Sequence, residues 1–122
     1  MRAGTEIENA KQGQFSLCED LVKLGFRSGA VLAPMSGVTD VPFRRLASRF
    51  GAGMVISEMV ASEAFVVGHE EMRLKAETAD LDLPTVQLAG RQPRWMAEAA
   101  KLAEASGAKI ISLWALPDGI MG

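Results

Sequence analysis

Three short segments of this 122-residue chain carry groups suited to hold a flat ligand with a polar edge. The first is Ala33-Pro34-Met35-Ser36-Gly37. Pro and Gly let a backbone come close to a planar molecule, and a Met thioether lies well against an aromatic ring system. The same residues also read simply as a strand end and a turn. The second is Glu58, a carboxylate inside the apolar run Met54-Val55-Ile56-Ser57-Glu58-Met59. It reads either as a polar contact in a site or as an ion-pair partner of Arg44 or Arg45, because a buried Glu normally has a cationic partner. The third is Gln87, in Thr85-Val86-Gln87-Leu88. Its amide offers one acceptor and two donors, which suit the edge of an isoalloxazine or pyrimidine ring. The alternative is a layer residue bonded to backbone.

Other chemically capable residues read as structural. His69, the single histidine, lies in the charged stretch Gly68-His69-Glu70-Glu71 and is expected to be solvated. Cys18, the single cysteine, precedes the first strand and reads as a packed thiol. Glu70-Glu71 has no partners at metal-ligand spacing, so no metal site is expected. Trp95 reads as helix packing. The chain has no GxGxxG, Walker, HExxH or GxSxG motif.

The elements that must position these groups follow from periodicity. Ala30 to Met35 reads as a buried strand closed by Ser36-Gly37. Asp40 is an N-cap candidate and Pro42 suits a first helical turn. Phe43, Leu46, Ala47 and Phe50 then recur at helical spacing up to the terminator Gly51. Met54–Met59 forms a second strand, and Ala61 to Lys75 a helical stretch broken near Gly68. Pro84–Gly90 is a third strand. Pro93 opens a third helix with Trp95, Met96, Ala99, Leu102 and Ala103 on one face, ended by Ser106-Gly107. Lys109-Ile110-Ile111 begins a fourth strand. Phe15 to Leu24 suggests a short amphipathic helix. Strands alternating with helices of about 10–15 residues imply right-handed βαβ units and a parallel sheet. The expected fold is α/β: three βα units plus a fourth strand, the N-terminal half of a (β/α)₈ TIM barrel. A closed barrel takes about 250 residues, so a truncated barrel with unpaired, self-associating sheet edges is expected. The expected organisation is a lead-in segment over 1–29, a partial barrel domain over 30–111 and an atypical tail over 112–122.

Composition narrows the function. Thirteen Lys+Arg against fifteen Asp+Glu give a net charge of −2 and a pI near 5.4. That balance argues against a dedicated basic nucleic-acid module, though not against RNA as a substrate. Apolar content of 48% suits a globular chain. There is no run of membrane-span length and no signal-peptide core, and one cysteine suits a reducing compartment, so a cytoplasmic address without a membrane partner is expected.

The run Leu32-Ala33-Pro34-Met35-Ser36-Gly37-Val38-Thr39-Asp40-Val41-Pro42-Phe43-Arg44 resembles the opening motif of the tRNA-dihydrouridine synthases, particularly the bacterial DusB-like branch. Gly51-Ala52-Gly53 through Ser57-Glu58-Met59, Thr85 through Gly90, and Ala105 through Ile111 fit the same pattern, so the likeness covers about residues 26–111. It implies a flavoprotein oxidoreductase that reduces uridine to 5,6-dihydrouridine in tRNA, with FMN as cofactor and NADPH as reductant. It also implies that Pro34, Met35 and Ser36 contact FMN, that Gln87 bonds the flavin ring and that Glu58 stands in the site wall. Asp40 and Arg44 match motif positions, although their local reading is a helix cap and a packing or ion-pair residue. Another FMN-dependent barrel, such as a dihydroorotate dehydrogenase relative, fits the Ala-Pro-Met-Ser-Gly-Val-Thr-Asp run less well.

The likeness ends at Ile111. The family continues with an acidic residue and a segment Asn-x-Gly-Cys-Pro, whose cysteine is the general acid. This chain reads Ser112-Leu113-Trp114-Ala115-Leu116-Pro117-Asp118-Gly119-Ile120-Met121-Gly122, so no catalytic residue is assigned. The expectation is an incomplete, inactive fragment, or else a non-enzymatic remnant, with residues from about Ser112 out of frame or at a truncated gene end. An intact Asn-x-Gly-Cys-Pro in another frame of the neighbouring DNA is the expected finding; its absence overturns the frameshift reading.

Overall fold

The structure is a computed structural model that describes residues 19–26 and 29–117. Residues 19–23 are helical and Leu24 follows in a turn; residues 15–18 of the expected Phe15–Leu24 helix, Cys18 included, lie outside the described residues. The elements that follow are β1 (Val31–Leu32), α1 (Val41–Arg49), β2 (Met54–Ala61), α2 (Ser62–Val66), α3 (Glu70–Lys75), β3 (Pro84–Gly90), α4 (Pro93–Ala105) and β4 (Ile110–Ala115). The strands form one parallel sheet in the order β1-β2-β3-β4. Chain order and spatial order coincide, as they do around a barrel wall, whereas a doubly wound sheet reverses its order at a switch point. The fold is α/β, a four-stranded portion consistent with a (β/α)₈ barrel.

Local signals explain most boundaries. Asp40 caps α1: its carboxylate accepts the Phe43 N–H at 2.9 Å, and Pro42 sits in the first turn. Gly68 adopts φ +90°, open to Gly and costly for other residues, and divides the expected Ala61–Lys75 helix into α2 and α3. The expected strand Pro84–Gly90 matches β3.

Other boundaries differ from expectation. β1 pairs with β2 only at Val31 and Leu32, because Pro34 has no N–H to give and the Met35 backbone turns to Thr39 instead. β2 runs on to Ala61, and β4 runs four residues past Ile111, through Ala115, in continuous register with β3. The stripe Phe43, Leu46 and Phe50 does not form the packed face of α1; all three are exposed, Phe50 to 86%. Val41 and Arg44 are the buried residues of that helix. On α4 the packing face is Ala99 and Ala103 with Met96 beside them, while Leu102 is exposed and Trp95 half-buried.

The core lies between the sheet and the helices. Val60, Val86 and Leu88 pack against Phe65, Ala76, Ala99, Ala103 and Ala108. Strand side chains alternate between faces, so Met59 and Gln87, the neighbours of Val60 and of Val86 and Leu88, point to the face opposite the helices of the core.

Candidate functional site

The face opposite the core helices gathers its chemistry toward the C-terminal ends of the strands. After β1 the chain makes a tight turn in which the Val38 and Thr39 N–H groups donate to the Met35 carbonyl at 3.1 and 3.0 Å. The fully buried Thr39 hydroxyl accepts the Met35 N–H at 3.0 Å and lies 3.1 Å from the Met35 carbonyl oxygen, to which it donates. Gly37 sits at φ +71°, a conformation that favours Gly. Its N–H donates to Glu58 Oε1 at 2.5 Å. The loop Pro34–Gly37 is thus clamped by one hydroxyl and one carboxylate.

Glu58 reaches that loop because β2 carries a bulge. Ile56 faces Thr85 and Met59 faces Gln87, so three steps on β2 match two on β3. The extra residue breaks the ladder locally and re-aims its side chains. Ser57 repairs the break: its hydroxyl accepts the Gln87 N–H at 3.0 Å and donates to the Glu58 carbonyl at 2.8 Å. Ser57 and Thr39 position the site, and the sequence reading assigned neither. The consecutive polar pair Ser57-Glu58 inside an apolar strand was the available signal, since it breaks the period of two.

The expected ion pair of Glu58 with Arg44 or Arg45 does not form. Arg44 is fully buried, and its guanidinium donates to three carbonyls: Thr39 at 3.1 Å, Glu77 at 3.0 Å and Lys75 at 3.0 Å. Burial lowers its pKa, while the nearby charges of Asp40, Glu58 and Glu77 act to raise it. Glu58 therefore acts on Arg44 through the field, without contact. Arg45 pairs instead with Asp80 at 3.6 Å and Glu77 at 3.9 Å.

Pro34, Met35, Ser36 and Gln87 meet in one cleft of about 380 Å³. Glu58, Met59, Lys75, Trp114 and Leu116 complete its lining. Met59 pairs with Gln87, and Gln87 with Ser112; one row further, Ala61, Ala89 and Trp114 align. Lys75 stands at the rim, 3.0 Å from Glu71. The lining is thus two thioethers, an indole, an amide, a hydroxyl and one charge of each sign. That donor set fits a flat heteroaromatic ring with an amide-like edge, and the volume lies in the usual range of ligand sites. His69 is exposed and outside the cleft. Trp95 lines a separate cavity and carries the Arg94 guanidinium 5.1 Å from its ring centre. Among the described residues, no His, Cys, Asp and Glu side chains cluster to hold a metal, and no helix is long and apolar enough to cross a membrane.

The clamp has a measurable consequence. A charge-assisted hydrogen bond contributes about 1.5–3 kcal/mol, or roughly ten- to a hundredfold in an opening equilibrium. Glu58→Ala is expected to speed exchange of the Gly37 amide hydrogen by about that factor, while Glu58→Gln, which keeps an acceptor, slows most of the loss. Exchange followed by NMR on both variants checks this; equal rates in wild type and Glu58→Ala would refute the clamp.

A parallel βα sheet with a ligand-sized cleft toward the C-terminal strand ends places the chain among (β/α)₈-type proteins, whose sites lie at that end. The sequence profile of the family described as dihydrouridine synthase (Dus) matches residues 31–114, from the start of β1 into β4. The chain belongs to the dihydrouridine synthase family. It is 53% identical over 90 residues to a probable tRNA-dihydrouridine synthase of Rhizobium leguminosarum bv. phaseoli, covering 74% of this chain and 28% of the relative. Identity to the corresponding protein of Rhodobacter capsulatus is 55% over 86 residues, covering 68% and 26%. To tRNA-dihydrouridine synthase B of Pseudomonas aeruginosa it is 48% over 84 residues, covering 68% and 25%. The chain thus spans between a quarter and three tenths of the length of these relatives. No solved structure matches the chain at comparable significance.

Proposed function

We propose that this chain contributes the flavin-ring cleft of an FMN-dependent tRNA-dihydrouridine synthase. The observation that carries the reading is convergence. Pro34, Met35, Ser36 and Gln87, singled out by their chemistry and by the family likeness, come from two separate strands and line one cleft. The Gln87 amide would bond the polar ring edge, Met35 and Pro34 would lie against the ring, and the Ser36 hydroxyl would supply a further polar contact. Glu58 and Thr39 hold that loop, and Ser57 holds the Gln87 backbone. The chemistry a flavin bound there supplies is hydride transfer between NADPH and the C5–C6 bond of a tRNA uridine. No proton donor is assigned, since the family-matched residues 31–114 include no cysteine. The proposal extends to a cytoplasmic setting and to these 122 residues binding the ring without completing turnover by themselves.

A second reading, a non-enzymatic self-associating chain, is favoured by one observation. Among the described residues β4 has a single strand neighbour, and Leu113 on it is 63% exposed. Unpaired parallel edges are templates for pairing with another copy.

FMN titration followed by fluorescence polarisation, with size-exclusion chromatography on the same sample, separates the two. Saturable binding by a discrete species is expected. Gln87→Leu keeps the size and removes the hydrogen bonds, so affinity should fall about three- to tenfold. Absence of saturable binding overturns the flavin reading, and concentration-dependent association without flavin binding supports the second.

A further inference from the structure

We infer that Trp114 is a flavin-contacting residue of this chain, its indole standing in van der Waals contact with the isoalloxazine ring. The inference rests on the flavin reading of the cleft and adds a residue that neither the family likeness nor its motif positions assign.

Three observations carry it. The first is register. Pairing of β4 with β3 continues without interruption to Gly90 and Ala115, which sets Ser112 beside Gln87 and Trp114 beside Ala89. Side chains two apart on a strand share a face, so Trp114 stands on the face of Gln87, one row toward the strand end. The second is the lining itself: Trp114 shares the cleft with Met35, Met59 and Gln87. The third is exposure. The indole is 55% accessible, although it is among the largest apolar groups of the chain. An exposed aromatic at the mouth of a cavity that also holds two thioethers and an amide is the arrangement that binds flat heteroaromatic rings. The other indole, Trp95, has its own occupant in the Arg94 guanidinium and lies outside the cleft.

The chain's composition makes the contact readable. It has two tryptophans and no tyrosine. An excited isoalloxazine in contact with an indole takes one electron from it; the same electron then returns, both rings end in their ground states, and only the emission is lost. Phenylalanine does not donate in this way, whereas tyrosine does. In this cleft Trp114 is therefore the sole group able to quench the ring by contact.

The experiment is a titration of FMN into wild type, Trp114→Phe, Trp114→Tyr and Trp95→Phe, recording polarisation and emission intensity together. Polarisation should rise in all four. Emission of bound FMN should be strongly quenched in wild type and in Trp95→Phe, recover most of the brightness of free FMN in Trp114→Phe, and be quenched again in Trp114→Tyr. Loss of the stacked indole should also weaken binding about three- to tenfold when only a smaller ring replaces it. If polarisation rises while wild-type emission stays bright, or if Trp114→Phe remains quenched, the Trp114 contact is overturned and the flavin cleft stands. If polarisation stays flat in every variant, both fall. The wild-type comparison needs no substitution, and far-UV circular dichroism on Trp114→Phe separates a lost contact from a lost fold.

Discussion

Replacing Arg44 by Met is expected to remove a large part of the protein's stability. The guanidinium is 0% exposed and donates to the carbonyls of Thr39, Lys75 and Glu77. Lys75 is the last residue of α3, so two of the three bonds close the C-terminal end of that helix, where a cation is also favoured by the helix dipole. The third holds the carbonyl of Thr39, the residue that clamps Met35. Met fills a similar volume and offers no donor. Each orphaned buried acceptor costs about 1–3 kcal/mol, so the loss should be about 3 kcal/mol or more, against a total of roughly 5–15 kcal/mol for a domain. Arg44→Lys keeps the charge but delivers it as a point without the planar fork, and should recover only part of the loss. Urea denaturation of wild type and both variants checks the order. A Met variant within about 1 kcal/mol of wild type would show that water replaces the guanidinium at all three carbonyls.

The second large effect is expected at Leu88. It is fully buried in the cluster with Val60, Val86, Phe65 and Ala99, on the helix-covered face of β3. Leu88→Ala removes apolar contact and leaves a cavity, for which buried leucines cost about 2–5 kcal/mol. Because Leu88 faces away from the cleft and Gln87 faces into it, the variant separates stability from site chemistry. The expected result is a lowered denaturation midpoint with FMN affinity unchanged in the fraction that remains folded. A matching loss of affinity under conditions where the variant is fully folded would mean that the two faces of β3 are coupled.

The parts legible in the sequence are those with local causes. β3 was delimited by a proline and a glycine, α1 by an aspartate cap and a proline, and the division of α2 from α3 by a single glycine. Gln87 stood out because an amide interrupts an apolar strand, and register then placed it in the cleft. What the sequence hid depends on distant partners. Arg44 reads from the sequence as a packing or ion-pair residue, with no sign of the carbonyls it would bind. Arg44 is buried only because two of its three carbonyls arrive from residues 31 and 33 positions further along the chain. The same fact explains the exposed stripe of α1, since the helix turns its arginine inward and its phenylalanines outward. Glu58 was expected to seek a cation and found an amide, because the bulge turned it toward the loop after β1. Trp114 escaped notice for a different reason. It lies where the family likeness ends, and only its pairing with Ala89 brings it to the site.

The order β1-β2-β3-β4 bears on how such a chain is made. N-terminal segments are available to fold first during synthesis. Each strand here is laid beside the one translated just before it. Among the described strands, none has to be threaded between two that have already paired. Val60 waits for Val86 and Leu88 of the next strand, and the cluster closes with Ala99, Ala103 and Ala108. The named parts of the cleft follow in chain order: the loop after β1, the carboxylate of β2, the amide of β3, the indole of β4 and Leu116. A ribosome releasing this polypeptide would deliver the pieces of the cleft in the sequence in which they are assembled.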